Sequence, residues 1–218
     1  MALSRLNYNS LNVTPTASKG IGFDSGADDL SIDFAGGSIT FIKKQTASSS
    51  ATISFIHGTS DVVFDGTYKE YLFTFNNIHP ETDADEFEFN FTIDGTNWNV
   101  TKTTTSILYY HFESDTASGL QYDTNQDLAQ GTGFQNLASN ADNDNDSSGA
   151  GTLSVFSPSS TTFVKHFMSD YTYVRDGARL YSTKNAGYGN TTSAITGVQF
   201  KFNGGDIDAG DICLYGIN

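Results

Sequence analysis

Strict two-residue alternation of apolar and polar side chains is the sequence feature that most constrains the fold. The clearest case spans residues 86–93, where four apolar side chains alternate with four polar ones. Successive side chains of a β-strand point to opposite faces of the sheet, so this segment predicts a half-buried strand. Asp94-Gly95 follows directly and predicts a tight hairpin turn into a second strand at Trp98 and Val100. The predicted buried face consists of Phe87, Phe89, Phe91 and Ile93.

The same period recurs along the chain and indicates an all-β protein. One short helix is predicted within residues 124–137, interrupted by Gly131 and Gly133, and residues 139–151 are predicted to be a loop. Closely spaced strands are typical of a sandwich of two antiparallel sheets, with jelly-roll or concanavalin-like connectivity. The predicted strands, about eleven, are residues 39–43, 51–57, 71–75, 86–93, 98–100, 106–112, 152–156, 162–168, 171–174, 195–202 and 211–217.

The first 38 residues differ from the rest of the chain. Alternation is weak there, while Gly and Asp are frequent, as in Asp24-Ser25-Gly26 and Gly36-Gly37. Residues 1–38 are therefore predicted to form a short N-terminal arm or attachment segment. Residues 39–218 are predicted to form the β-sandwich domain.

Charge and composition exclude several classes of protein. With 25 acidic and 11 basic residues, the formal charge is −14, so the chain lacks the basic surface that nucleic-acid binding requires. No stretch approaches the ~20 apolar residues of a membrane helix, and residues 1–10 lack the apolar run of a secretory signal. Cys213 is the single cysteine, which excludes an intrachain disulfide and indicates synthesis in a cytoplasm. Ser, Thr, Asn and Gly occupy 88 of the 218 positions, so we expect a polar but largely uncharged surface.

One acidic segment fits a catalytic spacing. Glu81, Asp83 and Glu86 match the Glu-x-Asp-x-x-Glu pattern of retaining glycosidases on concanavalin-like sandwiches, in which two carboxylates about 5 Å apart act as nucleophile and acid. A regular strand would place Glu81 and Glu86 on opposite faces, so catalysis would require a bulge. The alternative is a solvated acidic turn that follows His79-Pro80.

A second acidic segment is a candidate cation site. Asp142, Asp144 and Asp146 offer oxygen ligands at alternate positions. An EF-hand loop that starts at Asp142 would need Gly and Glu where Ser147 and Leu153 stand, so the metal is unknown and a mobile polar loop is the alternative. A similar question applies to Asp206, Asp208 and Asp211.

Aromatic residues outside the clearest core pattern could stack on sugars or line a subunit contact. At least half of these tyrosines are expected to be ordinary core residues. The four histidines, isolated in sequence, are expected to pack rather than bind metal. The tyrosines are Tyr109, Tyr110, Tyr171, Tyr173, Tyr181 and Tyr188.

Several short segments carry a family likeness: residues 41–55, 68–73, 77–83, 156–162, 164–167, 200–202, 205–210 and 214–217. They resemble segments of virion structural proteins of marine tailed phages, of the cyanophage and pelagiphage kind. The likeness covers about residues 39–218 and, more loosely, residues 6–16. The closing apolar-Tyr-Gly-Ile pattern is frequent at the end of such chains.

This resemblance implies a jelly-roll domain mounted on a phage particle, as a tail fibre or capsid decoration, so the expected location is the virion. It brings no catalytic residues, and the chain is expected to be non-enzymatic and without a cofactor. Expected partners are other virion proteins, further copies of the chain (a trimer first) and a host surface glycan, with no nucleic acid and no membrane insertion. The alternatives are a carbohydrate-binding module and a glycan-degrading sandwich enzyme acting through Glu81 and Glu86.

Overall fold

The structure is a computed structural model that describes residues 38–218 and, before them, the backbone of two short strands. The chain divides into two units, Met1–Ser38 and Ile39–Asn218. In the first unit, β1 (Gly22–Phe23) pairs antiparallel with β2 (Leu30–Ser31). The rest of the predicted arm lies outside the described residues, so its attachment role stays a prediction.

The second unit consists of twelve antiparallel strands and the turns between them. No helix occurs among residues 38–218, and so none there has the length and apolarity to cross a membrane. The strands are β3 (Ile39–Ser50), β4 (Ile53–Ile56), β5 (Glu70–Pro80), β6 (Asp85–Thr92), β7 (Lys102–Phe112), β8 (Ser118–Tyr122), β9 (Gln135–Ala141), β10 (Gly149–Phe156), β11 (Lys165–Arg175), β12 (Arg179–Gly189), β13 (Gly197–Phe202) and β14 (Ile207–Ile217).

The twelve strands form one nearly closed sheet with two branches. The long branch has the order β3-β14-β5-β10-β11-β12-β7-β8, and the short branch has the order β9-β6-β13-β4. They join where Arg175, the last residue of β11, pairs with Ala141, the last residue of β9. Most neighbours in the sheet are distant in sequence, as where β14 lies between β3 and β5.

The core is an aromatic cluster between the two branches. Phe200 of β13 lies 5.2 Å from Phe73 and 5.1 Å from Phe75, both on β5, measured between ring centroids. Phe89 of β6 lies 5.2 Å from Phe167 of β11. These edge-on contacts are the geometry that aromatic rings prefer, so the two branches are packed against each other through their apolar faces.

The alternation in β6 is confirmed on one face and wrong on the other. Phe87, Phe89 and Phe91 are fully buried, as predicted, but the prediction is wrong for Ile93, which follows the end of β6 and is 42 % exposed. The opposite face was expected to be exposed, yet Glu88 and Asn90 are buried too. The reason is that residues from two loops cover it: the Asn90 amide nitrogen donates hydrogen bonds to the carbonyl oxygens of Trp98 (2.7 Å) and Thr132 (3.0 Å).

The predicted hairpin after β6 is also wrong. Asp94 does stabilise a turn, since its carboxylate accepts hydrogen bonds from the Thr96 and Asn97 amides at 2.8 Å each. Residues 98–100, however, form no strand, and the sheet neighbours of β6 are β9 and β13. The local turn was predictable, but the pairing partner came from distant sequence.

Two further predictions failed where polar residues are buried. The helix expected within residues 124–137 is absent, and β9 begins at Gln135. The expected loop at residues 139–151 is shortened from both sides, by β9 and β10.

Strand β12 was not predicted, because polar residues that it buries, Thr183 and Asn185, do not alternate with apolar ones. Apart from Tyr181, the inward face of β12 has polar residues and glycines, so an apolar period of two residues is not visible there.

Candidate functional site

The three aspartates of the candidate cation site share one acidic cleft. The loop between β9 and β10 forms one wall of this cleft, which has a volume of about 580 Å³. The turn between β5 and β6 and the turn between β11 and β12 close its sides. The carboxylates that line it are Asp83, Glu113, Asp142, Asp144, Asp146 and Asp176.

Asp142 acts within this loop as a hydrogen-bond acceptor. Its carboxylate accepts from the Asp144 amide and from the Ser147 hydroxyl, both at 3.1 Å. The Ser147 amide in turn donates to the Asp144 carbonyl oxygen at 2.8 Å. These bonds shape the loop locally, as Asx turns do.

The cleft brings negatively charged carboxylates together, but these side chains do not have the geometry of metal ligands. Among residues 38–218, no three His, Cys, Asp or Glu side chains lie close enough to hold one metal ion. A cation site at Asp142, Asp144 and Asp146 stays a hypothesis. In this conformation the Asp142 carboxylate accepts hydrogen bonds from its own loop.

A smaller cavity of about 370 Å³ lies beside the same loop and contains His79. The His79 ring lies 3.5 Å from the Asp208 carboxylate through Nδ1 and 3.2 Å from the Asp144 carbonyl oxygen through Nε2. Asp211 points elsewhere, because Thr46 donates a hydrogen bond to it and Lys44 pairs with it at 3.1 Å. Hydrogen bonds from these two side chains lower the Asp211 pKa. Thus Asp208 and Asp211 do not form one site.

The glycosidase-like segment lies in the turn that joins β5 to β6. The Glu81 carboxylate accepts a hydrogen bond from the Asp206 amide at 3.2 Å, and the Asp83 carboxylate accepts one from the Ala84 amide at 2.9 Å. Asp83 lines the acidic cleft, whereas Glu86 is the second residue of β6. Glu81 and Asp83 thus accept hydrogen bonds within the turn and from the neighbouring loop.

The tyrosines divide between the core and the surface. Tyr171, Tyr173 and Tyr181 are buried, and Tyr110 stacks on Tyr181 with 5.2 Å between ring centroids. Tyr109 is 39 % exposed. The partly exposed Tyr188 packs against the exposed His166 ring at 6.0 Å.

Tyr109 and Tyr188 lie on the outer face of the long branch, where two shallow grooves follow β10, β11, β12 and β7. The first groove, of about 510 Å³, combines Tyr109 and Leu180 with Thr152, Asp170, Thr172 and Ser182. The Ser182 hydroxyl donates to the Tyr109 hydroxyl at 2.8 Å. The second groove, of about 490 Å³, contains Tyr188, His166 and Met168.

This outer face offers aromatic rings, hydroxyls and one carboxylate on adjacent strands. Asp170 pairs with Lys184 of β12 across the sheet, so both charges are balanced locally. Sequence reasoning identified Tyr109 and Tyr188 but missed Asp170 and Ser182. Asp170 falls between the predicted strands 162–168 and 171–174, which are one strand in the structure, and Ser182 lies on β12, which was not predicted. The alternation of residues 165–175 was the one signal that could have placed Asp170 on an outer face.

Comparison with known proteins found no match for this chain among protein families, curated proteins or solved structures.

Proposed function

We propose that this chain is a non-enzymatic structural protein of a tailed-phage particle, with residues 39–218 as a jelly-roll sandwich. The observation that carries the proposal is that three of the eight phage-like segments lie on neighbouring strands. Residues 41–55 include most of β3, residues 68–73 lead into β5, and residues 214–217 end β14. These three strands are neighbours in the sheet although they come from opposite ends of the domain.

The use of the acidic side chains supports a structural role. Both oxygens of Asp85 accept from the Gly204 amide, at 2.9 and 3.0 Å. Glu81 and Asp142 also accept hydrogen bonds in loops. Carboxylates that hold turns rigidify the ends of strands, which suits a protein that must keep its shape on a particle.

The attachment role of the first unit is tested by deleting residues 1–38 in the phage itself. We expect the shortened chain to be absent from purified particles, measured by mass spectrometry of the particle proteins. The isolated fragment 39–218 should keep a cooperative unfolding transition, because it is a separate unit. Full incorporation of the shortened chain, or absence of the complete chain from particles, would contradict the proposal.

A second candidate function is glycan binding at the outer face of the long branch, favoured by Tyr109 and Tyr188 beside hydroxyl groups in the two grooves. Aromatic faces stack on the apolar faces of sugars, while the exposed Asp170 and Thr172 in the first groove can form hydrogen bonds with sugar hydroxyls. On a glycan array, Tyr109→Ala should weaken binding by about tenfold or more, the equivalent of ~1.4 kcal/mol.

Phe163→Ala is the matched control, because Phe163 is a 73 % exposed aromatic outside both grooves. Equal loss in both variants, or no binding by the complete chain, would contradict the glycan role. Shortening of the bound glycan would contradict the non-enzymatic proposal.

A further inference from the structure

A fully buried lysine stands at the start of β7, against the polar face of β6. Lys102 has no exposed surface. Its amine lies 2.5 Å from the Asn90 side-chain oxygen and 2.9 Å from the Val100 carbonyl oxygen. Among residues 38–218, no carboxylate lies within ion-pair distance of it. A buried ammonium without a paired anion is costly, so the site favours the neutral amine.

The electrostatics agree with this placement. Burial lowers the pKa of Lys102 to about 7, and the negative charge of Glu88 opposes the shift. A neutral amine carries a free lone pair and is a nucleophile. A substantial fraction of Lys102 is therefore in the reactive form near neutral pH.

The side-chain amide of Asn90 is held in one orientation beside this amine. Its oxygen accepts a hydrogen bond from the Phe91 amide at 2.8 Å. Its nitrogen donates to the carbonyl oxygens of Trp98, Thr132 and Gly133. The N–H donor at the oxygen is placed to stabilise negative charge there, as in an oxyanion hole.

A buried acid completes the group. Glu88 precedes Asn90 by two residues, so both side chains lie on the same face of β6. It is 7 % exposed, and its partner is Lys201 at 2.9 Å. Burial raises the Glu88 pKa, against the lowering effect of Lys201. A carboxyl whose pKa is raised binds a proton more readily than an exposed one, so Glu88 can accept a proton and return it.

We propose that Lys102 and Asn90 join spontaneously in an intramolecular isopeptide bond. The lone pair of Lys102 Nζ forms a bond to Asn90 Cγ, and the carbonyl electron pair moves onto Oδ1. The proton that Nζ gives up is carried by Glu88 to Asn90 Nδ2. The C=O bond then re-forms, the Cγ–Nδ2 bond breaks, and ammonia leaves. One primary amide and one amine give one secondary amide and one ammonia, with no oxidant or other reactant.

This bond would connect the two branches of the sheet. Asn90 lies on β6 of the short branch and Lys102 on β7 of the long branch, and these strands are not sheet neighbours. The chain has one cysteine and therefore no intrachain disulfide. An amide cross-link would join the two branches covalently, as a disulfide does in other proteins, and would do so independently of redox conditions.

The complete protein provides the test without any substitution. We expect its intact mass to be lower than the sequence mass by one ammonia. Cleavage before aspartates cuts at Asp94, between the two residues, so the fragments carrying Asn90 and Lys102 should stay joined under denaturing conditions. Trypsin should fail to cut after Lys102. An unchanged mass, or ammonia loss with separate fragments, as from cyclisation of an asparagine, would overturn the proposal.

Variants identify the roles of the residues. Lys102→Met should restore the full mass, and Glu88→Gln should slow the joining while both reacting side chains remain. Lys165→Met is the matched control: Lys165 also has no exposed surface, but within residues 38–218 its amine contacts the carbonyl oxygens of Phe163 and Thr191 and no amide side chain. Loss of the cross-link in Lys165→Met would contradict the assignment to Lys102, and normal joining in Glu88→Gln would contradict the role of Glu88.

Discussion

Several single carboxylates among residues 38–218 stabilise turns. Asp94 is the clearest case, since it accepts hydrogen bonds from the Thr96 and Asn97 amides, the Asn97 side chain and the Thr92 hydroxyl. These bonds, those from Asn97 first, hold the pKa of Asp94 far below its usual value. An acid that binds protons more weakly in the folded state stabilises that state when it is ionised.

The Asp94 turn predicts a specific acid sensitivity. Asp94→Asn should lower the urea midpoint at pH 7, and the difference from the natural chain should shrink below about pH 4, where Asp94 becomes protonated in the unfolded state. Urea unfolding at a series of pH values measures this. Asp61→Asn, at another exposed aspartate, is the control. A difference that stays constant with pH would contradict the carboxylate's role.

Phe200 is the residue whose loss should most weaken the core. Its ring contacts those of Phe55, Phe73, Phe75, Phe87 and Phe89. Phe200→Ala should lower the free energy of unfolding by about 3–5 kcal/mol, through lost burial and the cavity left behind. The exposed Phe163→Ala should change it by less than about 0.5 kcal/mol. Equal effects in urea titrations would refute the assigned core.

At the scale of elements, the close approach of β10 to β11 depends on a residue without a side chain. A Cβ at Gly151 would lie 2.7 Å from the Tyr171 Cα and would also clash with the Asp170 carbonyl oxygen. These are backbone atoms of the paired strand, so they cannot move aside without disturbing the ladder. A Cβ at Gly133, by contrast, would meet no atom within 4 Å.

Gly151→Ala should therefore destabilise the protein by about 1–3 kcal/mol, as overpacking does. Gly133→Ala should stay within about 0.5 kcal/mol of the natural chain. Thermal unfolding of both variants under the same conditions compares them. A neutral Gly151→Ala would mean that β10 and β11 are not this close.

The elements differ in how far the sequence predicts them. The strands at Phe87 and Tyr171 carry apolar faces, and their period is visible locally. Strands β9 and β12 bury Gln135 and Asn185, whose polarity hides the same period. A polar residue becomes an inward residue only when other segments provide its hydrogen-bond partners, and those partners are distant in sequence.

At the scale of the whole molecule, negative charge is the dominant long-range feature. The formal charge of −14 is partly concentrated in the acidic cleft, where Asp83 and Asp176 face the β9–β10 loop. Self-repulsion of this size opposes the folded state at low ionic strength. Salt at about 0.5 M shortens the screening length to ~5 Å and removes most of this repulsion.

Raising sodium chloride from about 10 mM to about 0.5 M should therefore raise the melting temperature at pH 7. The sequence pI is about 4.3, so the same increase in salt should have a much smaller effect near that pH. Differential scanning calorimetry at both pH values tests this. An equal rise of the melting temperature at both pH values would mean that a general effect of salt, rather than the screening of charge, stabilises the protein.

The sequence by itself determined the all-β class and the aromatic face of β6, because a two-residue period needs no information beyond the segment itself. It also supplied Asp142, Asp144 and Asp146, whose cleft the structure then assembled. Only the tertiary structure decided that the second face of β6 is buried and that Asn90 meets Lys102. Hydrogen-bond partners and strand pairing depend on contacts between residues that are distant in sequence, and a local pattern does not indicate which residues those are.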